Sequence, residues 1–283
     1  MVVTRLTGGL GNQMFQYAVA RALALRNGTE LKIDTHFYAQ QHLHRYELHV
    51  YPVSCSFVTD DELFRFGIRN AKKRRFYQSF VYRNWKVVKE RHFHFDPTIK
   101  LLNSPVYLAG YWQSERYFHE VGDILRTEFC PSDSLEPHTA QIAADIQAVN
   151  AVSVHVRRGD YVINERTNRL FGTCSLDYYR RAAEFVAERV DSPHFFVFSD
   201  EPQWARTHLR FEFPTTYVIG NSGFRDLQLM SRCRHHIIAN SSFSWWGAWL
   251  NASPDKIVVA PRAWFNELQH NTQDLIPEAW VRM

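Results

Sequence analysis

The sequence of 283 residues has few of the features that mark secreted, membrane-spanning or nucleic-acid-binding proteins. Its four cysteines, Cys55, Cys130, Cys174 and Cys233, are scattered and form no C-x-x-C pair, so we expect free thiols and a cytoplasmic location. No window approaches the roughly 18 apolar residues of a membrane span, and the N-terminus has no signal-peptide pattern. The net charge of +4 is too small to indicate nucleic-acid binding.

Several catalytic signatures are also missing. There is no G-x-S-x-G elbow for a serine nucleophile. There is no D-x-D element of the kind that holds a divalent ion on a nucleotide diphosphate. The histidine pairs His42/His44, His92/His94 and His235/His236 have no carboxylate placed to complete a metal site. We therefore expect neither a metal nor another cofactor.

The composition is that of a folded protein. With 45% hydrophobic and 15% aromatic residues the chain can bury a large core, which excludes a disordered protein. At roughly 100 to 200 residues per domain, the length suits one or two domains.

One basic segment leaves two interpretations open. The run 72–75 reads Lys-Lys-Arg-Arg and is followed by four aromatic residues, Phe76, Tyr77, Phe80 and Tyr82. It could contact an anionic lipid surface, which would make the protein peripheral at a membrane. A solvated surface is favoured, because four charges are few for membrane binding.

The first half begins with a strand over 2–6, a glycine-rich loop and a helix predicted over 13–26. Asn12 is the expected N-cap of that helix, and Gly28 is its expected C-terminal stop. The third glycine of a G-x-G-x-x-G dinucleotide fingerprint is missing, since Met14 follows Gln13, so the loop does not predict an NAD site. The other elements predicted here are strands at 30–34 and 106–111 and helices at 60–66 and 114–127.

The second half alternates between strands and helices. This pattern predicts a parallel sheet with right-handed crossovers, hence an α/β fold, and we place a domain boundary between 1–138 and 139–283. The predicted strands are 151–157, 194–200, 215–220, 235–240 and 256–260. The predicted helices are 139–149, 176–189, 201–209, 224–233 and 243–251, with Ser175 and Ser242 as N-caps of the second and the last.

Polar residues follow three of these strands. His155, Arg157, Arg158 and Asp160 lie at the end of the first strand, where open α/β sheets bind ligands. An arginine fork suits a phosphate, although a plain salt bridge to Asp160 is the alternative.

The other two strand ends complete the predicted site. Asp200 could accept paired N–H donors from a purine or could cap the next helix. Asn240, Ser241 and Ser242 lead into a helix whose N-terminus can bind an anion. Together, an arginine and a helix N-terminus predict a diphosphate site.

Three segments resemble the inverting α-1,2-fucosyltransferases of family GT11. They are Gly8-Gly-Leu-Gly-Asn-Gln-Met-Phe15, His155-Val-Arg-Arg-Gly-Asp-Tyr161 and Asn240-Ser-Ser-Phe-Ser-Trp-Trp-Gly247. The resemblance implies a GT-B fold, with two facing Rossmann-like domains and the active site in the cleft between them. It implies metal-free transfer of L-fucose from GDP-β-L-fucose to O2 of a terminal β-galactoside, giving an α-1,2-fucoside. Because the first motif comes so early, the chain resembles bacterial members.

The resemblance also implies roles for individual residues. Arg157 would neutralise the β-phosphate as GDP leaves, and His155 and Asp200 would contact guanosine. The remaining donor-binding residues would be Gly9, Gly11, Asn12 and Gln13 from the first domain and Arg158, Asn240, Ser241 and Ser242 from the second. The base is left open between Glu165, which matches the position proposed in core α-1,6-fucosyltransferases, and Asp160. A loose mechanism without a strong base is a third possibility.

The acceptor is expected on the first domain, where Trp85, Tyr107, Tyr111 and Trp112 could shape a sugar site or belong to the core. Two other functions compete with the main prediction. One is a GT-B transferase that uses another nucleotide sugar, and the other is a non-catalytic nucleotide- or carbohydrate-binding module. The acceptor linkage and the oligomeric state cannot be derived from the sequence.

Overall fold

The computed structural model of the chain describes residues 1–40, 43–68, 84–266 and 270–283. His42 and the basic and aromatic segment 72–82 lie outside these ranges, so the membrane-contact interpretation stays a prediction. The chain divides into a first unit, Met1–Pro131 with Asn271–Leu275, and a second unit, Ser132–His270 with Ile276–Met283. The boundary predicted at 138/139 falls inside a helix that belongs wholly to the second unit.

The first unit is built on a five-stranded sheet in the order β3-β2-β1-β5-β4, and all of its strand pairs are parallel. The strands are β1 (Val2–Arg5), β2 (Leu31–Asp34), β3 (Ser56–Phe57), β4 (Lys86–Lys89) and β5 (Val106–Ala109). The helices are α1 (Leu10–Arg26), α2 (Asp60–Phe66) and α3 (Gly122–Glu128). Short 3-10 helices cover His36–Gln40, Leu48–Val50, Pro97–Leu101, Glu115–Tyr117 and His119–Val121.

Helix α1 begins earlier than the sequence predicts. Gly9 is its N-cap and has an extended backbone, and its carbonyl accepts the N–H groups of Asn12 and Gln13. The prediction of Asn12 as N-cap is therefore wrong, because Asn12 already lies in the first turn. Gly28 ends the helix as predicted, with the left-handed φ of +57° that favours glycine.

The weakly patterned part of the first unit differs most from the prediction. Strands β3 and β4 were not predicted, because both are short, both residues of β3 are exposed, and β4 is only partly buried. The helix predicted over 114–127 is two 3-10 helices followed by α3. Its end is fixed from elsewhere in the chain, since Tyr17 donates to Glu128 at 2.7 Å and Arg21 pairs with the same carboxylate.

The second unit has a six-stranded sheet in the order β11-β10-β9-β6-β7-β8, again with parallel pairs throughout, which confirms the predicted parallel sheet. The strands are β6 (Asn150–Val156), β7 (Pro193–Ser199), β8 (Thr215–Tyr217), β9 (His235–Ile237), β10 (Val258–Ala260) and β11 (Val281–Arg282). The helices are α4 (Pro137–Gln147), α5 (Gly159–Ile163), α6 (Glu165–Phe171), α7 (Leu176–Ala187), α8 (Pro202–His208), α9 (Gly223–Arg232) and α10 (Ser242–Leu250).

Both faces of this sheet are covered. Val152 and Val154 pack with helix α7 on one face, whereas Ala151 and Phe196 pack with α4 and α9 on the other. Double burial explains the apolar runs of β6 and β7. Within the described ranges, no helix is long and apolar enough to cross a membrane.

His236 is a buried polar residue in the centre of this sheet, and its ring bonds to two other elements. Its Nδ1 lies 2.8 Å from the Ser153 hydroxyl on β6, and its Nε2 lies 2.9 Å from the Asn251 amide after α10. Burial, then the charges of Lys256 and His235, lower the pKa of His236 well below its usual value. His236 is therefore neutral in the folded protein and joins two strands to a helix.

This neutral histidine should make the free energy of unfolding depend on pH. Below about pH 6.5 His236 binds a proton in the unfolded chain but stays neutral in the folded protein. The folded state should therefore lose stability as pH falls from 7 towards 5. His236→Gln should reduce the slope of that loss by up to about 1.4 kcal/mol per pH unit. Urea unfolding at several pH values measures the slope.

The matched control is His208→Gln, because His208 is an exposed histidine at the end of α8. The control should keep the wild-type slope. Equal slopes for His236→Gln and the wild type would contradict the prediction.

Candidate active site

Arg157 follows strand β6 and is held by two carboxylates. Its Nη2 lies 2.6 Å from Asp160 Oδ1, and its Nη1 lies 3.0 Å from Asp200 Oδ2. A guanidinium has five N–H donors, so three remain after these two contacts. The salt bridge to Asp160 that the sequence allowed is present, and it leaves donors for a further anion.

Asp200 follows β7 and fixes the turn that contains Arg157. Its Oδ1 accepts the backbone N–H of Arg158 at 2.9 Å, while Oδ2 pairs with Arg157. A Cβ on Gly159 would come within 2.6 Å of Asp200 Oδ2, so the turn requires glycine there. Asp200 does not cap helix α8, because the Glu201 N–H donates to Ser199 Oγ instead. Its contact with guanosine stays a prediction.

Arg158 extends to helix α8. Its Nε donates to Glu201 at 3.1 Å, and its guanidinium carbon lies 3.6 Å from the ring centre of Trp204. The two arginines of the motif therefore have different surroundings. Arg157 lies between the strand ends, and Arg158 is stacked on a helix.

The N-terminus of helix α10 lies at the same edge of the sheet. Its N-cap is Ser241, whose Oγ accepts the Phe243 N–H at 3.3 Å. The predicted N-cap, Ser242, is wrong by one residue, because Ser241 has the extended backbone of a cap and Ser242 begins the helix. The N-terminus of this nine-residue helix carries partial positive charge.

Two contacts connect Arg157 with α10. The guanidinium carbon lies 5.5 Å from the Tyr161 ring centre, and the Tyr161 hydroxyl donates to the Asn240 carbonyl at 3.2 Å. The ring of His155 lies 5.3 Å from that of Phe243. Since β6 and β9 are paired neighbours, their carboxyl ends meet, and the structure brings an arginine and a helix N-terminus to one edge. This arrangement can bind an anion.

His155 is buried beneath this edge, with 5% of its surface exposed. Burial, and then the charge of Arg157, lower the pKa of His155 to about 3, so the imidazole is neutral. Among the described residues, its Nδ1 has no hydrogen-bond partner although it is buried. A buried ring nitrogen without a partner is available to a ligand.

The side chain of Asn240 has a structural role. Its amide donates to the Phe171 carbonyl at 2.9 Å, and its Oδ1 faces Cys174 Sγ at 3.5 Å. Asn240 therefore holds the segment between α6 and α7. It also lines a cavity of about 500 Å³ that Arg181 and Arg262 border, whereas Arg157 and Asp200 do not.

The two candidate bases lie in different settings. Asp160 is bonded to Arg157, whereas Glu165 is exposed at the first position of α6. Asn164 caps this helix by accepting the Thr167 N–H at 3.0 Å.

The glycine loop of the first unit is bonded to the segment that contains Arg45 and Glu47. Gln13 is buried, donates to the Arg45 carbonyl at 2.7 Å and accepts the Glu47 N–H at 2.8 Å. Burial raises the pKa of Glu47, and the backbone N–H of Leu10 opposes that shift. A buried carboxyl group therefore lies near the start of α1.

The other loop residues differ in their surroundings. Gly11 is buried in the first turn of α1, Gly9 has His44 beside it, and the Asn12 Oδ1 accepts the Gln113 amide at 2.7 Å. The structure thus divides the predicted donor set between the two units. Sequence reasoning missed Glu47 and Gln113, which have no local signal, and Tyr161, which stands inside a recognised motif.

Comparison with known proteins identifies the family. The family model for glycosyl transferase family 11 matches residues 59–283. The chain belongs to this family. An alpha-1,2-colitosyltransferase of Escherichia coli is 35% identical over all of this chain and 99% of the relative. Galactoside alpha-(1,2)-fucosyltransferase 1 of Rattus norvegicus is 28% identical over 97% of this chain and 70% of the relative.

A solved structure confirms the predicted fold class. Arabidopsis thaliana FUT1, a mutant in complex with GDP, matches with a TM-score of 0.51 and 13% identity over 91% of this chain and 69% of that chain. The family 11 protein is an α/β enzyme of the GT-B fold, and the family predicted from its three motifs is correct.

Gly159→Ala should slow glycosyl transfer by displacing Asp200. The new Cβ would lie 2.6 Å from Asp200 Oδ2, so Asp200 must move and Arg157 loses its 3.0 Å partner. We expect a fall in kcat/KM of roughly 10- to 100-fold, because small displacements of a charge-stabilising group are costly. Steady-state kinetics measure the loss.

Gly223→Ala is the matched control, since a Cβ there would meet nothing closer than the Phe243 ring at 3.9 Å. This variant should keep wild-type kinetics. A Gly159→Ala enzyme of wild-type activity would show that Asp200 is not needed in its present position.

Proposed function

We propose that this family 11 enzyme transfers L-fucose from GDP-β-L-fucose to O2 of a terminal β-galactoside, with inversion to an α-1,2-fucoside. The observation that carries the proposal is Arg157, held by Asp160 and Asp200 beside the N-terminus of α10. The name of the rat relative supplies the sugar, the linkage and the acceptor.

The chemistry follows from where charge develops. The galactose O2 attacks C1 of fucose while the bond from C1 to the β-phosphate oxygen breaks, and the electron pair leaves with GDP. Arg157 and the α10 N-terminus would stabilise that growing charge without rearranging, because both are fixed beforehand. We propose that no divalent metal is needed, because Arg157 and the α10 N-terminus supply the N–H donors.

The nucleoside would lie over the same edge. We assign the guanosine contact to neutral His155, which has an unpaired Nδ1. Ser242, at the first position of α10, would lie against the phosphates.

The proton of the galactose O2 needs an acceptor on the opposite face of the fucose. We assign this role to Glu165, whose carboxylate is exposed on α6. Asp160 is less suited, because its Oδ1 already binds Arg157 at 2.6 Å. Asp160 then acts as a positioning residue.

A second donor competes with fucose. The relative at 35% identity transfers colitose in α-1,2 linkage, and colitose is L-fucose without the hydroxyl at carbon 3. A site that hydrogen-bonds this hydroxyl rejects the deoxy sugar strongly, whereas an apolar site discriminates weakly. The preference between the two donors is therefore a property of one subsite.

The test is transfer from GDP-fucose and from GDP-colitose to β1,3- and β1,4-linked galactosides, in the presence of a chelator. We expect an α-1,2-linked fucoside from the wild type and a loss of kcat of roughly 100-fold or more for Arg157→Ala. Unfolding free energy should change by about 1 kcal/mol or less, because these ion pairs are partly exposed.

A preference for GDP-colitose would show that colitose, rather than fucose, is the sugar transferred. Dependence on a divalent metal would contradict the assigned role of Arg157. Tight GDP binding without turnover would favour a binding module, and no binding of GDP would refute the proposal.

Glu165→Gln and Asp160→Asn should separate the base from the positioning residue. Glu165→Gln should lower kcat by about 10²- to 10⁴-fold and leave the Kd for GDP unchanged. Asp160→Asn should weaken GDP binding as well, because Arg157 loses the carboxylate that holds it in position. Kinetics and calorimetric GDP titration measure both; a Glu165→Gln enzyme with wild-type kcat would exclude Glu165 as the base.

A further inference from the structure

Four aromatic residues of the first unit were candidates for a sugar site, and the structure separates them. Tyr107 and Trp112 are each 1% exposed, and Trp85 packs on Phe66 with 4.7 Å between ring centres. Tyr111 is 43% exposed. Three of the four therefore belong to the core, and Tyr111 presents its ring to solvent just after strand β5.

The backbone around Tyr111 is clamped by a single carboxylate. Glu90, directly after β4, accepts the Tyr111 N–H at 2.7 Å on Oε2 and the Trp112 N–H at 2.9 Å on Oε1. A Cβ on Gly110 would lie 2.4 Å from Glu90 Cβ, so the two strand ends meet closely. Burial raises the pKa of Glu90, and the two N–H groups oppose that shift.

The turn formed by residues 110–113 holds a strained residue. Trp112 has a φ of +56°, in the left-handed region that a bulky side chain rarely adopts. Its buried ring lies 5.8 Å from the Tyr117 ring in an edge-on contact, which anchors it. Such strain persists only where surrounding contacts determine it, and it is typical of ligand-binding sites.

The 110–113 turn is also bonded to the glycine loop on the neighbouring strand β1. The Gln113 amide donates to Asn12 Oδ1 at 2.7 Å, and the Tyr38 hydroxyl donates to the Gly8 carbonyl at 2.9 Å. Tyr111 belongs to the same turn as Gln113, so its ring lies at the end of β5 that is bonded to this loop. These residues form one polar edge of the first unit.

The electrostatics of this edge suit a neutral ligand. The start of α1 would otherwise attract an anion, but Glu47, whose N–H donates to Gln13 in the first turn of α1, brings a carboxyl group there. The edge carries the Tyr38 hydroxyl and the Gln113 amide, and the exposed Tyr111 ring belongs to the same turn as Gln113. A sugar offers hydroxyls at its rim and an apolar face of C–H groups, which matches this combination.

We propose that Tyr111 is the platform on which the terminal galactose of the acceptor stacks, and that Glu90 is its positioning residue through the 110–113 turn. The proposal rests on the transferase function proposed above and names its acceptor subsite. It concerns contacts within the first unit alone.

Kinetics with the acceptor varied test the platform. Tyr111→Ala should raise the acceptor KM by about tenfold or more, whereas Tyr111→Phe, which keeps the ring, should stay near the wild type. Glu90→Gln should also raise the acceptor KM and leave the donor KM nearly unchanged, because its amide nitrogen cannot accept one of the two backbone N–H groups. Leu101→Ala is the matched control, because Leu101 is 77% exposed and precedes β5 rather than following it.

A binding measurement separates this inference from the transferase proposal. Saturation-transfer NMR with methyl β-galactoside needs no donor and no turnover, and GDP affinity is measured separately. Loss of the galactoside signal in Tyr111→Ala but not in Leu101→Ala, with GDP affinity intact, supports the platform even if fucose is the wrong donor. An equal signal in both variants, or none in the wild type, overturns it.

Discussion

The carboxylate of Asp200 is the interaction on which the candidate active site depends. One oxygen accepts the backbone N–H of Arg158, and the other pairs with the guanidinium of Arg157. A strand end on β7 thus determines the conformation of the turn that follows β6. Gly159 is required because Asp200 approaches too closely for any side chain. Two neighbouring parallel strands place an arginine in this way, because Asp200 at the end of one pairs with Arg157 at the end of the other.

The two units begin from similar local designs and differ in electrostatics. Each has a helix N-terminus at the carboxyl edge of a parallel sheet. In the first unit, Glu47 is bonded to Gln13 in the first turn of α1, so a buried carboxyl group lies near that helix start. In the second unit, Arg157 keeps N–H donors beyond its pairs with Asp160 and Asp200 at the edge where α10 begins, so this edge offers donors to an anion. This difference, rather than the fold, explains why we assign the diphosphate to one unit and the neutral sugar to the other.

The elements whose formation depends on nearby residues were predicted from local sequence patterns. Strands β6 and β7 of the second unit are buried on both faces, and their Val- and Phe-rich runs indicated them directly. Ser175 caps its helix as predicted, whereas Ser241 and Ser242 are equally good capping residues and only backbone conformation decides between them. The 3-10 helices of the first unit depend on distant contacts such as Tyr17 with Glu128, which no window of sequence contains.

In the candidate site too, the sequence alone does not show which side chains face a ligand. This matters for donor selection. Gln13 and Asn240 stand in segments that identify the family, yet their amides bind the protein's own backbone. Motifs therefore preserve loop geometry as well as ligand contacts. In the proposed mechanism Arg157 binds the diphosphate, which GDP-fucose and GDP-colitose share. Because the two sugars differ at one ring hydroxyl, selection between them must come from side chains near that hydroxyl, and the phosphate-binding residues cannot provide it.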